Sequence, residues 1–158
     1  MDEIPVQTLL IGLLVLLLLS GFFSIAETSM MALNRYRLRH LVSTGNRGAI
    51  LAASLLDRTD RLLGVVLLGN NFFNSLSAAL FTVIMFRVLG QNEWALWIGS
   101  AGVTFFILVF SEITPKIIGA TYPERIALAS SYVLTPLLKV AYPLVWFVNL
   151  FVQAILRI

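Results

Sequence analysis

The sequence predicts an all-α membrane protein that forms one small bundle of helices. Of its 158 residues, 59% are hydrophobic and only 12% are charged, whereas about a quarter of the residues in a soluble domain are charged. Its mean hydropathy is +0.92, and three apolar segments each reach the roughly 20 residues that cross a bilayer core. The length suits one domain over residues 1–158. The absence of cysteine excludes disulfides, thiolate metal sites and a cysteine nucleophile.

The first predicted transmembrane helix covers residues 4–33. Its outer part is the uniformly apolar LLIGLLVLLLL, and its inner part is the more polar SGFFSIAETSMMAL. The segment follows an acidic start, MDEIP, is too long for a signal-peptide core and precedes no small-residue cleavage pattern. We therefore expect a retained membrane span rather than a removed targeting segment.

A polar connection with six arginines follows at residues 34–61. Within it, the stretch RYRLRHLVSTGNRGAILAASLL predicts two short amphipathic helices, at about residues 35–58, joined at Gly45-Asn46.

The second and third predicted transmembrane helices cover residues 62–89 and 94–116, with a short turn between them. The polar stretch GNNFFNSLS is expected to interrupt the second helix. Pro115 and Lys116 are expected to close the third, because proline disrupts the bonding of a helix interior.

The remainder of the chain has two interpretations. Residues 117–131 predict a short polar or interfacial connection, and residues 131–157 are apolar and long enough to span. Lys139 lies in the interior of this last segment, between Pro136 and Pro143. Since a central lysine costs about 2.5–3.5 kcal/mol on insertion scales, we favour a belt helix that lies in the membrane interface.

The distribution of lysine and arginine predicts the orientation. Placing residues 34–61 in the cytoplasm puts six arginines there, together with Lys116 and Arg125, and leaves Arg87 on the other side. The positive-inside rule then predicts an outside N-terminus and three crossings of the cell's inner (plasma) membrane.

Polar groups within the first span form one candidate cluster. Ser24 and Glu27 are three residues apart and share a helical face, while Gly21 weakens the helix one turn earlier. In the alternative interpretation, Glu27 simply emerges into water at the interface, and a lone serine is ordinary in a packed membrane helix.

The second span contains three asparagines within five residues. Asn70 and Asn74 are one helical turn apart, and each is followed directly by another polar residue, Asn71 and Ser75. One interpretation is interhelical hydrogen bonding that supports a dimer. In the other, Gly69 lets the backbone open, so that carbonyls and amide oxygens line a cavity.

The third span ends in FSEITPK. Pro115 has no N–H, so in an α-helix the carbonyl of Ser111 loses its partner and lies next to the carboxylate of Glu112. The alternative is an ordinary helix end, with Lys116 close to the last carbonyls.

Considered together, these groups are all hard oxygen ligands, which suit magnesium, calcium or manganese rather than zinc or copper. The up-and-down topology places Ser24, Asn70 and Glu112 at similar depths. The sequence therefore predicts a cation site near the inner half of the membrane.

The motifs GFFSIAETSMMALNRYRLRHL, LLGNNFFNSLSA and FSEITPKIIGA resemble the transmembrane domain of the CorC/CNNM family of magnesium transporters, in order and over nearly the whole chain. The resemblance implies a homodimer with three spanning helices per subunit, two short cytoplasmic helices and a belt helix at about residues 131–157. It also implies sodium-coupled magnesium export, with Mg²⁺ transported and Na⁺ as the coupling ion.

Carried over residue by residue, the ion site of that family falls on Ser24, Asn70 and Glu112. We add Ser111 through its carbonyl. The additional ion ligands expected nearby are Glu27, Asn71, Asn74 and Ser75. The expected hinges are Gly21, Gly69 and Pro115. The cytoplasmic CBS and CorC domains of the family have no counterpart here, so we expect an excised transmembrane domain whose regulatory partners belong to the full-length protein.

The leading functional hypothesis is a secondary transporter that works by alternating access. The alternatives are a membrane-embedded magnesium sensor or scaffold and a passive divalent-cation channel. We expect no enzymatic activity, because the sequence contains no catalytic dyad, phosphate loop or HExxH pattern. We also expect no nucleic-acid partner.

Overall fold

The computed structural model describes residues 4–157, and these residues form helices joined by short turns. The α-helices are α1 (Val6–Ala32), α2 (Arg35–Ser43), α3 (Arg47–Asp57), α4 (Thr59–Leu89), α5 (Glu93–Phe106), α6 (Thr114–Thr121) and α7 (Pro123–Arg157). A π-helical segment, Ile107–Ile113, joins α5 to α6 and is called the π segment below. The predicted all-helical class is confirmed. Asp2 and Glu3, which make the predicted outside N-terminus acidic, lie outside the described residues.

Four helices in the described part of the chain are long and apolar enough to cross a membrane. Three of them, α1, α4 and the continuous helix Glu93–Thr121, occupy the segments in which spans are predicted. The fourth is α7, whose 35 residues include Pro136 and Pro143. Length and composition make α7 a candidate span, so three crossings, a belt position for α7 and a dimer stay predictions.

Asparagine side chains define where three of the helices begin. Asn34 accepts hydrogen bonds from the backbone of α2, and Asn46 and Asn92 do the same for α3 and α5, which satisfies N–H groups that a helix start leaves without partners. Gly45 ends α2 with a φ of 85°. Because this left-handed conformation favours glycine, the turn between the two short helices forms at Gly45-Asn46.

The expected interruption of the second span does not occur, and α4 is continuous through GNNFFNSLS. Gly69 does not open the backbone; it provides room for a ring. A Cβ at Gly69 would lie 2.6 Å from Phe23 Cζ, and the Phe23 ring in turn stacks on Phe73 with centroids 5.9 Å apart. The helix at Gly21 is also unbroken. The hinges predicted at these two glycines are therefore helical positions at which neighbouring groups approach closely.

The third span does not end at Pro115 and Lys116, and its helix continues to Thr121. The N–H of Thr114 bonds to the carbonyl of Val109, five residues earlier, which is the π register. Pro115 is therefore the second residue of a new α-helix. The N–H groups in the first turn of a helix have no partner within that helix, so a proline there costs no helical hydrogen bond. The irregularity lies before the proline, in the π segment.

The predicted connection at residues 117–131 is also mainly helical. Its first residues complete α6, and α7 begins at Pro123, so the turn is centred on Tyr122. Proline is well suited to the first position of a helix, because its fixed φ matches the helical value.

The helices contribute to two compact units, and α1 and α4 each belong partly to both. The first unit combines the chain up to Ile25 with Gly69–Ile117. Its apolar core contains Leu9, Leu13 and Leu17 of α1 against Phe81 and Ile84 of α4 and Val103 of α5.

The second unit contains Ala26–Leu68 and the chain from Ile118 onward. Here α7 packs along α3, with Gly48 against Leu128, and the hydroxyl of Ser131 donates to the carbonyl of Gly48 at 3.1 Å. The contact continues onto the start of α4, where Val145 would meet a Cβ at Gly64. Thus α7 follows α3 and then the first turns of α4.

Gly21→Ala is predicted to lower the free energy of unfolding by about 1–3 kcal/mol, the usual cost of overpacking. A Cβ at this position would lie 2.9 Å from the Phe110 carbonyl oxygen and 3.3 Å from Pro115 Cγ. The matched control is Gly12→Ala in the same helix, where the nearest atom, Leu80 Cδ2, is at an ordinary 3.5 Å. Thermal unfolding in detergent measures both, and equal melting temperatures would contradict the close approach at Gly21.

Candidate ion-binding site

A cluster of polar side chains lies inside the first unit, where α1, α4 and the π segment meet. Ser20, Ser24 and Ser111 are fully buried, and Asn70 is 7% exposed. A polar group in an apolar interior needs a hydrogen-bond partner. Within the described residues, no buried side-chain nitrogen or oxygen lacks one.

Two serines of α1 and two asparagines of α4 form the centre of this cluster. The hydroxyl of Ser20 lies 3.0 Å from Asn70 Oδ1 and 2.6 Å from Asn74 Oδ1. Asn70 Nδ2 donates to Ser24 Oγ at 2.7 Å, and Asn74 Nδ2 donates to Asn70 Oδ1 at 2.7 Å. The two serines are four residues apart on α1, and the two asparagines are four residues apart on α4, so one turn of α1 faces one turn of α4.

The carboxylate of Glu112 joins this network from the π segment. Asn74 Nδ2 lies 3.3 Å from Glu112 Oε1, and Lys116 Nζ lies 2.8 Å from Glu112 Oε2. Lys116 therefore neutralises the acid from one helical turn further along. Both carboxylate oxygens have donors, which accounts for an acid within an otherwise apolar helix.

Two backbone carbonyls border the cluster. Ser111 donates its hydroxyl to the Leu17 carbonyl at 3.0 Å, which ties the π segment to α1. In the register set by Thr114, a donor at residue 115 would serve the carbonyl of Phe110, and proline supplies none there. That carbonyl oxygen is the atom next to Gly21. In the π register the freed carbonyl therefore belongs to Phe110, whereas the α-helical pattern predicts Ser111.

The donor atoms of the cluster are all oxygens, and one of the groups is charged. Among the described residues, no group of three or more histidine, cysteine or acidic side chains lies close enough to hold a metal ion. A cation here would therefore be bound by the Glu112 carboxylate together with neutral hydroxyl, amide and carbonyl oxygens. This composition fits hard cations that retain some of their water.

The structure brings some of the predicted site residues together and separates others. Ser24, Asn70, Asn74 and Glu112 belong to one hydrogen-bond network, and Ser111 borders it. Among the additional ligands expected, Asn71 and Ser75 are exposed on the surface of the first unit. Glu27 is half-buried and belongs to the part of α1 described with the second unit.

Sequence reasoning missed Ser20, whose hydroxyl reaches both asparagines. The signal was available in the spacing. Ser20 and Ser24 are one helical turn apart, as are Asn70 and Asn74, and two such pairs on adjacent helices can form a ladder.

Apolar helices around a buried polar cluster define a multi-pass membrane protein. Residues 11–158 match the family model described as "CNNM: Cyclin M transmembrane N-terminal domain", and the chain belongs to this family. The resemblance of the three motifs to the CorC/CNNM family is thus confirmed.

Several curated proteins are similar to the chain. It is 45% identical over 158 residues, its full length, to a UPF0053 protein of Haemophilus influenzae, covering 37% of that protein. It is 45% identical over 139 residues, 88% of the chain, to the UPF0053 inner membrane protein YfjD of Escherichia coli, covering 32% of it. The polyamine export protein of Haemophilus influenzae is 26% identical over 160 residues, which cover 94% of the chain and 37% of that protein. The chain spans about a third of the length of these relatives.

Ser20→Ala is predicted to destabilise the chain by about 1 kcal/mol, since the two asparagine oxygens lose a shared donor and polar bonds in membrane bundles contribute about 0.6 kcal/mol each. Ser77→Ala is the matched control, because that buried hydroxyl donates only to Phe73 O of its own helix, at 2.8 Å. Unfolding in a denaturing detergent series measures the difference. Equal losses in the two variants would show that Ser20 does not connect the helices.

Proposed function

We propose that the chain is the transmembrane domain of a magnesium exporter, and that its ion-binding site is the network around Glu112. The observation that carries the proposal is a carboxylate bonded to Asn74 inside a buried set of neutral oxygens. Membership of the CNNM family supports it. Transmembrane acids that face a bundle interior commonly mark ion pathways.

Binding of magnesium requires the network to change its partners. Asn70 Oδ1 already accepts bonds from Ser20 and from Asn74. Glu112 accepts from Asn74 and is paired with Lys116. An incoming cation would take the place of these donors, so that Lys116 turns away from the carboxylate while the amides rotate their oxygens inward. In the described arrangement, the Lys116 ammonium is paired with the Glu112 carboxylate, in the position that the cation would take.

This exchange provides a route to release as well as to binding. Magnesium gives up its water reluctantly, so a site with one carboxylate and several neutral oxygens would hold a partly hydrated ion. The Lys116 ammonium competes with the ion for Glu112 and limits its affinity. A transported ion has to leave the site, which a weaker site with a built-in competitor favours.

Alternating access requires a segment that can change its bonding at small cost. The π segment is such a candidate, because it includes Ser111 and Glu112 and has no regular i→i−4 ladder. We propose that a shift between π and α register there moves Glu112 between two openings of the site. Sodium, another hard cation, would drive export by binding at the same acid.

The test of magnesium export is a flux assay in proteoliposomes with an imposed sodium gradient. Glu112→Gln is expected to lower the flux about tenfold or more, since carboxylate charge sets the affinity of oxygen sites. Glu93→Gln, which changes an exposed acid of α5 in the same unit, serves as the matched control. Undiminished flux in Glu112→Gln would overturn the proposed site. Absence of flux in the parent chain would favour a sensor or scaffold, and flux independent of sodium would favour a channel.

A second candidate function is the export of polyamines. The relative named polyamine export protein matches 94% of the chain. The ammonium groups of a polyamine donate hydrogen bonds to the same carboxylate and amide oxygens that would bind magnesium. Because both functions would depend on Glu112, the Glu112→Gln variant does not separate them. Loading the liposomes with spermidine in place of magnesium does.

Lys116→Gln is predicted to tighten magnesium binding by up to about fivefold, because it removes the cation that competes for Glu112. The size of the effect is limited by the solvent around a half-exposed pair, which is typically worth about 0.2–1 kcal/mol. Lys139→Gln, at the other lysine of the chain, is expected to leave this affinity unchanged. Isothermal titration in detergent measures both variants, and weaker binding in Lys116→Gln would contradict the competition.

A further inference from the structure

A second polar site lies in the second unit, in the angle between α3, the start of α4 and α7. It is a hollow of about 430 Å³. Its charged lining consists of Arg58, Arg61 and Lys139. The hydroxyls of Ser54 and Thr135 and the ring of Tyr142 add polar and aromatic surface.

The charges of this hollow are of one sign. No acidic side chain lines it, and none of its three cations forms an ion pair with a carboxylate of residues 4–157. The nearby acid Asp57 lines a different hollow, with Arg35 and Arg39. Three cations that converge from two parts of the chain repel one another, and an anion between them would remove that cost.

The position of one cation is set by an aromatic ring. The Arg61 guanidinium carbon lies 4.5 Å from the centroid of the Tyr142 ring. Such an arrangement is favourable for a guanidinium and restricts the motion of a long side chain. The pair therefore holds a donor in place beside the hollow before any ligand binds.

The hollow lies where the apolar part of α4 begins. Arg58 follows α3, Arg61 is in the first turn of α4, and the continuous apolar sequence starts at Leu62. Positive side chains at the end of a span lie at the depth of lipid phosphates. Lys139 is in the interior of the apolar helix α7 and lines the same hollow as Arg58. This shared lining puts Lys139 level with the first turn of α4, before the apolar sequence of that helix.

We propose that this hollow binds a phosphate group, held by Arg58, Arg61 and Lys139. Arginine forks and the lysine ammonium are the side chains that recognise phosphate oxygens, arginine by paired bonds and lysine as a point charge. At this depth the phosphate is that of an anionic lipid headgroup, and free phosphate shares the same chemistry. A bound lipid would fasten α7 to the end of α3 and the start of α4.

The test compares phosphatidylglycerol, phosphatidylcholine and inorganic phosphate as ligands of the purified chain in a phosphate-free, uncharged detergent. Native mass spectrometry counts bound lipid, and thermal unfolding gives the stabilisation by each ligand. Phosphatidylglycerol is expected to bind and to raise the melting temperature more than phosphatidylcholine does. If inorganic phosphate raises the melting temperature as much as phosphatidylglycerol does and displaces the lipid, the ligand of the hollow is free phosphate. If it does not, the ligand is the phosphate of the lipid headgroup.

Single charge removals locate the site. Arg58→Gln and Lys139→Gln are each expected to weaken phosphatidylglycerol binding at least about fivefold, which corresponds to the loss of one charge-assisted bond. Lys139→Arg, which keeps the charge, is expected to retain binding and controls for misfolding. Arg47→Gln removes a charge from the opposite end of α3, outside the hollow, and is expected to bind as the parent does. The proposal is overturned if neither lipid nor phosphate binds, or if Arg58→Gln and Lys139→Gln bind as tightly as Arg47→Gln.

Discussion

The requirement that buried polar groups be paired determines the arrangement of the first unit. Its apolar side chains would tolerate many registers between α1 and α4, because leucine packs against any similar surface. The hydrogen bonds that Asn70 accepts from Ser20 and donates to Ser24 do not tolerate them, since sliding either helix by one turn would leave a hydroxyl and an amide without partners. The polar ladder therefore specifies the register, while the surrounding core of leucine, isoleucine and phenylalanine supplies contact area.

The π segment connects the third helix to both α1 and α4. Ser111 and Glu112 are adjacent in sequence, yet the first bonds to the α1 carbonyl of Leu17 and the second to Asn74 of α4. Adjacent side chains point about 100° apart on an α-helix and somewhat less on the wider π turn. Ser111 and Glu112 can therefore reach α1 and α4, which lie side by side, from adjacent positions of the π segment. The wider π turn and Pro115 also keep a backbone carbonyl near the cluster, which a regular helix would use internally.

How far the sequence predicts this arrangement depends on the kind of information each residue carries. Composition and apolar length were sufficient for the helical class, and the asparagines at 34, 46 and 92 mark helix starts by a local rule. The effect of Gly69 was not predictable from local rules, because its role depends on the ring of Phe23, which is distant in sequence. Local rules predict that Pro115 ends a helix, since the change to π register that moves it into a new first turn has no sequence signature of its own.

The two lysines show why a charge in an apolar helix cannot be interpreted from its position alone. Lys116 lies one turn from Glu112 and pairs with it, so its charge is neutralised within the first unit. Lys139 has no acid beside it in the described chain and instead shares a hollow with two arginines. At the two proposed sites, one lysine would therefore lower the affinity for external cations, and the other would raise the affinity for external anions. The same residue type, placed in two helices of similar hydropathy, would give the two proposed sites opposite selectivity because the neighbouring charges differ.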